Sequence, residues 1–204
     1  MLDSFHIVRL SAEQVRERAE QLSEVLSDCV TGGASVSFML PFGPDDAKPF
    51  WLATAESCDA GQRIVLAAIM DSMAVGSVQL LPVGILNQPH RAEIAKLLVH
   101  RKARRRGIGR ALMLAAEAEA RRLGRSLLTF DTTTGDSAEK LYLSLNYVRA
   151  GVIPGYALKP DGSLIDTSVF YKLLESGGAG QKTGFPAEDG ALARQPPVIT
   201  AKTT

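Results

Sequence analysis

The chain has 204 residues, 46% of them hydrophobic and 22% charged, with a formal net charge of +1. This composition predicts a globular domain that buries a core without disulfides or metal, and the near-neutral charge argues against nucleic acid or a membrane surface as a partner. Cys29 and Cys58 are too few for a disulfide framework and are not spaced as metal ligands, so we expect no metal site.

The first predicted elements are a strand and a helix. The opening residues lack the cationic start and apolar core of a secretory signal, so we expect a cytoplasmic protein. Phe5 to Leu10 alternates as a strand does, and Ser11 with Gln14 forms a capping-box pattern at the start of a helix. Apolar residues follow at helical spacing until Gly32-Gly33, where we expect the helix to end.

An extended segment, a second helix and a hairpin come next. Ala34 to Met39 is predicted as a strand or extended loop, and Asp45-Asp46 as the cap of a helix that ends near Gly61. Ile64 to Met70 and Val75 to Val83 flank a short turn, which is typical of a β-hairpin. The first of these runs is the longest apolar run in the chain, and it is far shorter than the roughly 20 residues that span a bilayer.

The second half of the chain alternates strands and helices. Gly124 closes one predicted helix and Asn146 the other, since both residue types tolerate the left-handed conformation found there. The predicted strands are 91–100, 126–131, 148–152 and 167–174, and the predicted helices are 108–123 and 136–145. After Leu174 the chain is rich in small and polar residues without apolar periodicity. We therefore predict one domain over residues 1–175 and a disordered tail over 176–204.

A basic turn containing glycine joins the strand that ends near His100 to the helix that follows. Six of the ten residues from Arg101 to Arg110 are Arg or Lys, and Gly107 and Gly109 fall at the turn. Glycines let backbone N–H groups approach a phosphate, and the start of a helix attracts the same anion. We predict phosphate binding here. A solvated basic loop and a nucleic-acid patch are the alternatives, and the absence of interleaved aromatic residues speaks against the second.

Two segments resemble signature motifs of the Gcn5-related N-acetyltransferase (GNAT) superfamily. Residues 98–112 contain Arg-x-x-Gly-x-Gly as Arg104 to Gly109, and residues 138–147, AEKLYLSLNY, resemble the family's Ala-x-x-x-Tyr-x-x-x-Gly-Phe/Tyr helix. The order of predicted elements fits the same fold. The resemblance implies a mixed α/β fold, with a mostly antiparallel twisted sheet flanked by about four helices. It also implies an N-acetyltransferase that uses acetyl-coenzyme A (acetyl-CoA).

The resemblance also implies where the cofactor binds. Backbone groups of Leu98 and Val99 are expected to pair with the pantetheine arm, as an added strand would. The residues expected to hold the pyrophosphate are Arg104, Arg105, Arg106, Gly107, Ile108, Gly109 and Arg110. Gly135 is a departure, because it stands where many members carry an Asn that meets the cofactor arm.

Three residues are candidates for acid–base chemistry at the acyl centre. Glu93 precedes the basic turn, and by strand alternation it shares a face with Leu97 and Val99. Asp131 ends the next strand. Amine attack on a thioester needs a proton acceptor and a proton donor, and the resemblance assigns these roles to Glu93, with Asp131 beside it, and to Tyr142. On the residues alone, a solvated Glu, a turn-capping Asp and a packed core Tyr are the alternatives.

The acceptor side carries weaker signals. Ser35, Phe38 and Tyr156 either border the mouth of the acceptor site or cover core. Further segments resemble members of the same family that acetylate amino-acid-like β-lactam toxins, which implies a small-molecule amine as partner and a role in toxin or antibiotic resistance. Two other functions stay open at this point: a peptide or protein N-acetyltransferase, and a non-catalytic acyl-CoA-binding module. The protein is expected to be a monomer or a homodimer.

Overall fold

The computed structural model describes residues 4–175, so the tail predicted for 176–204 lies outside the described residues. The strands in this range are β1 (Phe5–Leu10), β2 (Ile64–Met70), β3 (Met73–Pro82), β4 (Arg91–Val99), β5 (Leu127–Thr133), β6 (Val148–Leu158) and β7 (Leu164–Leu173). The α-helices are α1 (Ala12–Glu17), α2 (Ala19–Thr31), α3 (Pro44–Asp59), α4 (Ile108–Arg122) and α5 (Ser137–Ser144). A short 3₁₀ helix covers Arg101–Ala103.

The strands of residues 4–175 form a seven-stranded sheet in the order β1-β2-β3-β4-β5-β7-β6. Neighbouring strands are antiparallel except for β4 and β5, which run parallel. Helices pack on both faces. The prediction of a mixed, mostly antiparallel sheet with flanking helices is therefore confirmed.

Each face of the sheet carries its own hydrophobic core. On one face α4 and α5 pack against the sheet, and Leu112, Phe130 and Phe170 are buried there. On the other face α1, α2 and α3 cover β1 to β3, and Leu26 and Trp51 are fully buried. Alternate residues of β2 enter opposite cores, which explains why this strand is a continuous apolar run rather than an alternating one.

Local sequence signals determine the ends of several elements. The predicted capping box is confirmed, because Ser11 Oγ accepts the Gln14 N–H and the Gln14 side chain accepts the Ser11 N–H. Gly124 and Asn146 adopt φ values of +68° and +61° after α4 and α5, as predicted for the closing residues of these helices. The two residues between β2 and β3 both have positive φ, as the mirror-image hairpin turns require.

Two predicted elements differ in extent from the structure. The first predicted helix is divided into α1 and α2 at Arg18, whose backbone (φ −99°, ψ 10°) leaves helical geometry and whose side chain donates to the Ser72 carbonyl. Strand β6 continues through Pro154-Gly155, beyond residue 152, where the predicted strand ends. An edge strand tolerates this pair because its outer side needs no ladder hydrogen bonds, and Gly155 adopts φ +57° within an irregular stretch of the register.

A β-bulge interrupts β4 near its middle. Ser77 of β3 pairs with Leu98 and Gln79 pairs with Ala95, so one residue of β3 opposes two residues of β4, Lys96 and Leu97. Lys96 adopts φ +52°, which is uncommon for a residue with a side chain. An extra residue of this kind bends the strand and shifts its alternation by one.

The bulge reverses the faces of the β4 residues. Before the bulge Ile94 enters the α4 core, so Glu93 faces the opposite side of the sheet. After the bulge Leu97 and Val99 pack against the α4 core. The prediction that Glu93 shares a face with Leu97 and Val99 is therefore wrong, because plain alternation does not hold across the extra residue.

Gly76 of β3 lies where α4 comes closest to the sheet. A Cβ at this position would lie 2.8 Å from the Leu98 carbonyl oxygen and 3.4 Å from both Ile108 Cγ2 and Leu112 Cδ1. The missing side chain therefore lets the start of α4 settle beside the end of β4.

We expect Gly76→Ala to lower the free energy of unfolding by about 1–3 kcal/mol, because the added methyl meets backbone that can move only by shifting β4. Gly84→Ala is the matched control, since a Cβ there meets nothing within 4 Å. Both substitutions reduce the conformational entropy of the unfolded chain, so comparing them cancels this stabilising effect. Urea denaturation of both variants measures the difference. Equal denaturation midpoints for the two variants would contradict this expectation, because they would show that α4 and β4 can move apart to admit the methyl group without a loss of stability.

Candidate active site

The sheet splits between β4 and β5. Their parallel pairing covers Arg91–Glu93 against Leu127–Thr129, and within the described residues the strands then part. Along this split residues 4–175 leave two adjoining cavities of about 570 and 340 Å³. Both cavities are lined by Ala34, Leu97, Asp136 and Ala138. One elongated ligand can therefore occupy both.

The smaller cavity is built around the start of α4. Gly107 is the N-cap of this helix with φ +82°, and the first turn, up to Arg110, lines the cavity together with Leu98 and Val99. The first N–H groups of a helix have no partner within the helix, and they carry the positive end of its dipole. This part of the cavity is therefore suited to an anion such as a phosphate.

The arginines of the basic turn have different surroundings. Arg101 donates to the carboxylate of Asp28, with its backbone nitrogen 2.7 Å from Oδ2 and its Nε 2.9 Å from Oδ1, and so ties the turn to α2. Arg106 donates to the sulfur of Met70 at 3.8 Å and does not line the cavity. The remaining cofactor residues that were predicted do line it: Leu98, Val99, Arg104, Arg105, Gly107, Ile108, Gly109 and Arg110.

The larger cavity collects the predicted acceptor-side residues. Its wall includes Ser35, Phe38, Asp131, Tyr142 and Tyr156, which come from four different parts of the chain. Residues 34–40, which we call the strap, run along one side of it, and residues 34–39 line it. The structure thus brings together side chains that the sequence analysis selected separately.

The strap bridges the two halves of the split sheet. On the β4 side, Lys96 Nζ donates to the Val36 carbonyl at 2.8 Å. On the β6 side, Ser35 Oγ donates to the Leu158 carbonyl at 2.8 Å. These bonds hold the strap across the larger cavity and limit its width.

The two predicted carboxylates occupy different positions. Asp131 lines the larger cavity and, among residues 4–175, its carboxylate makes no hydrogen bond or ion pair. Glu93 lies outside the lining, with 48% of its side chain exposed and Oε1 2.8 Å from Arg91 Nη1. Its pairing with Thr129 places it on the same sheet face as Asp131. The strand rise and strand spacing put the two Cα atoms about 8 Å apart.

Tyr142 presents a protonated phenol to the larger cavity. The residue is only 6% exposed, and its ring centroid lies 4.5 Å from that of Phe130. Burial raises the pKa of Tyr142 to about 12; Thr132 opposes this shift, while the negative charges of Asp136 and Asp131 add to it. The phenol therefore keeps its proton at neutral pH and can act as a proton donor.

Lys96 is a charged residue of this site that the sequence analysis missed. It lines the larger cavity, and its ammonium lies 5.7 Å from the ring centroids of both Phe38 and Phe50. Burial lowers the pKa of Lys96, Arg63 lowers it further, and the charge of Asp131 acts in the opposite direction. No sequence pattern marks this residue, because its position depends on the bulge.

Some kinds of site are not found in the described part of the chain. None of its helices has both the length and the apolar character needed to cross a membrane. Its His, Cys, Asp and Glu side chains form no group of three or more that could hold a metal ion. The described residues provide a helix start suited to an anion, joined to a cavity with a carboxylate, an ammonium and a phenol.

Comparison with known proteins agrees with this geometry. The model of the acetyltransferase (GNAT) family matches residues 26–147, which contain the strap, both walls of the split and the basic turn. Three solved structures share the fold. An N-acetyltransferase from Staphylococcus aureus is 17% identical with a TM-score of 0.71, over 84% of this chain and 99% of its own.

The other two structures cover similar shares. The protein yncA of Salmonella typhimurium, solved with its cofactor acetyl-CoA, is 17% identical with a TM-score of 0.70, over 88% of this chain and 99% of its own. A ribosomal-protein-alanine N-acetyltransferase from Brucella melitensis is 22% identical with a TM-score of 0.68, over 83% of this chain and 99% of its own. At these identities the likeness establishes the fold alone.

We expect the buried phenol of Tyr142 to make stability fall in alkali. Its folded-state pKa exceeds the ordinary tyrosine value near 10, so the unfolded chain loses the proton first and stability declines from about pH 10 towards pH 12. Tyr142→Phe should show a shallower decline in the free energy of unfolding over this window. Tyr156→Phe, at an exposed tyrosine of the same cavity, should follow the wild type. Parallel declines in all three proteins would contradict the assignment.

Proposed function

This chain belongs to the acetyltransferase (GNAT) family, and we propose that it transfers the acetyl group of acetyl-CoA to a primary amine of a small polar molecule in the cytoplasm. One observation carries the proposal: the split between β4 and β5 joins an anion-binding helix start to a cavity lined by acid–base groups. Such a cleft fits a long cosubstrate that has phosphates at one end and a reactive thioester at the other.

The residues of the smaller cavity fit acetyl-CoA. A Cβ at Gly107 would meet no heavy atom within 4 Å, so the turn leaves open space beside the first N–H groups of α4. We assign the pyrophosphate to this turn, with Arg104 and Arg105 adding charge-assisted hydrogen bonds. We assign the pantetheine amides to the edge of β4 at Leu98 and Val99, which has no strand neighbour on the side of the split and where the Val99 carbonyl accepts from Arg104 Nε at 3.0 Å. When bound, acetyl-CoA supplies the acetyl thioester that the amine attacks.

The side chains of the larger cavity supply the proton transfers. An alkylamine is mostly protonated at neutral pH and must lose a proton before it can attack. We assign this proton to Asp131, which lines the cavity. Glu93, the leading base on the sequence, lies on the same face about 8 Å away and suits a water-mediated relay to solvent. Tyr142 donates a proton to the departing thiolate, since its pKa of about 12 keeps it protonated.

The strap favours a small acceptor over an extended peptide. Beyond the bonds made by Lys96 and Ser35, the Leu40 N–H donates to the Pro160 carbonyl at 3.0 Å in the turn between β6 and β7. The strap is therefore anchored to both halves of the split. The cavity of about 570 Å³ beneath it lies within the range of small-molecule sites, roughly 300–1,000 Å³.

Within the small-molecule class, tabtoxinine-β-lactam is the first candidate. Residues 32–39, 90–99, 128–135 and 152–162 resemble the tabtoxin resistance protein, an acetyltransferase that acts on an amino-acid-like β-lactam toxin. All four segments contribute side chains to the lining of the larger cavity. This supports a role in toxin resistance.

We expect Gly107→Asp to weaken acetyl-CoA binding severely. The change places a negative charge and a side chain where the pyrophosphate approaches, at a residue with φ +82°. Gly124→Asp is the matched control, because it makes the same substitution at φ +68° at the other end of α4. Titration calorimetry with acetyl-CoA measures both variants. Wild-type affinity in folded Gly107→Asp would remove the turn from the cofactor site.

We expect Asp131→Asn to reduce kcat by about one to four orders of magnitude, and the loss to shrink at high pH where the amine is already neutral. Glu93→Gln should cost less, because Glu93 lies outside the cavity and is paired with Arg91. Thiol release is followed with the fastest amine among amino acids, β-lactam amines, polyamines and short peptides. If the loss in Asp131→Asn persists at high pH, Asp131 orients the substrate and does not accept its proton. In the substrate screen, a strong preference for peptides would overturn the small-molecule assignment.

A further inference from the structure

Lys96 and Asp131 are two opposite charges on the wall of one cavity, and neither has a charged partner within hydrogen-bonding distance. The Lys96 ammonium donates to the Val36 carbonyl and to Ser37 Oγ, at 2.8 and 3.1 Å. Among residues 4–175 no carboxylate forms an ion pair with it, and the carboxylate of Asp131 makes no hydrogen bond or ion pair. An ammonium has three donors, so one donor of Lys96 is left for a ligand.

The surroundings of Lys96 make a structural explanation insufficient. The two bonds to the strap need only a neutral donor. The half-buried ammonium lies near a guanidinium, Arg63, and the negative charge that opposes it, Asp131, makes no direct ion pair with it. Buried charges without partners are costly and concentrate at functional sites. The strand also adopts φ +52° at Lys96, so an uncommon backbone conformation brings this charge into the cavity.

We propose that Lys96 binds the carboxylate of a zwitterionic acceptor whose amino group lies against Asp131, so that the substrate class is free amino acids and their analogues. This inference rests on the proposed acetyl transfer and narrows it. Two charges of opposite sign on the wall of one cavity match the two charges of an amino acid. A polyamine would place a cation beside Lys96, and a residue within a peptide chain would offer it no carboxylate.

The position of both charges on the wall of one cavity also suits the chemistry. The substrate carboxylate at Lys96 fixes the amino acid in one orientation, and the ammonium then lies at Asp131, which accepts its proton. The strap closes over the Lys96 side, since the same ammonium holds Val36 and Ser37. Lys96 is therefore a specificity-determining residue, and its charge distinguishes amino acids from amines that lack a carboxylate.

The test compares amines that differ only in the carboxylate: L-lysine with cadaverine, and L-serine with ethanolamine. We expect the wild type to favour the amino acid of each pair in kcat/KM by about 10- to 100-fold, the range of a hydrogen bond to a charged group. Lys96→Met and Lys96→Gln should remove this preference, while Lys96→Arg should retain most of it. Acetyl-CoA affinity, measured by calorimetry, checks that each variant is folded.

The possible outcomes are separable. Equal use of amino acid and amine by the wild type overturns the inference and leaves the proposed acetyl transfer standing. An equal loss for both members of a pair in Lys96→Met and Lys96→Gln shows that Lys96 only supports the strap, which also overturns it. If acetyl-CoA binds but no small amine reacts, the proposed function itself is wrong and the inference falls with it.

Discussion

The separation of β4 from β5 is the constraint on which the rest of the site depends. Parallel pairing ends after Glu93, and the bulge at Lys96 then bends β4. A strand that has lost a neighbour leaves N–H and C=O groups unpaired, and such groups need a partner. Along Leu97 to Val99 the strand borders both cavities, and the Val99 carbonyl there accepts from Arg104 Nε at 3.0 Å instead of from a neighbouring strand. This edge is therefore suited to form the wall against which an extended ligand binds.

The packing around α4 supports this arrangement. Gly76 lets the helix approach the end of β4, and Gly109 leaves only 3.3 Å between its Cβ position and Leu141 Cδ2 of α5. Glycine is thus needed on both sides of the first turn, for reasons of space rather than of backbone conformation. Arg101 adds a tie through Asp28 to α2. The start of the helix is held from three directions, as an anion site requires if its N–H groups are to be oriented before the ligand arrives.

The sequence predicts the elements better than it predicts the site. Turn and cap residues such as Gly124 and Asn146 act locally, so their effects can be read from single positions. The face of Glu93 cannot be read in this way, because one extra residue at Lys96 reverses the alternation and no residue type there signals positive φ. The same bulge brings Lys96 to the cavity. The misplaced face of Glu93 and the missed lysine therefore have one physical cause.

Strand β4 also determines where the two halves of the reaction meet. The segment Leu97 to Val99 connects the bulge to the basic turn, and its length is roughly 10 Å at the usual strand rise. An anion held at the start of α4 therefore has its attached arm directed along this segment towards the bulge, where the cavities join. Helix α5 follows the same course, since Leu141 lines the smaller cavity and Tyr142 the larger. Tyr142 thus enters the larger cavity directly after the residue that lines the smaller one, as the proposed proton donor to the thioester of a cosubstrate laid along β4 has to do.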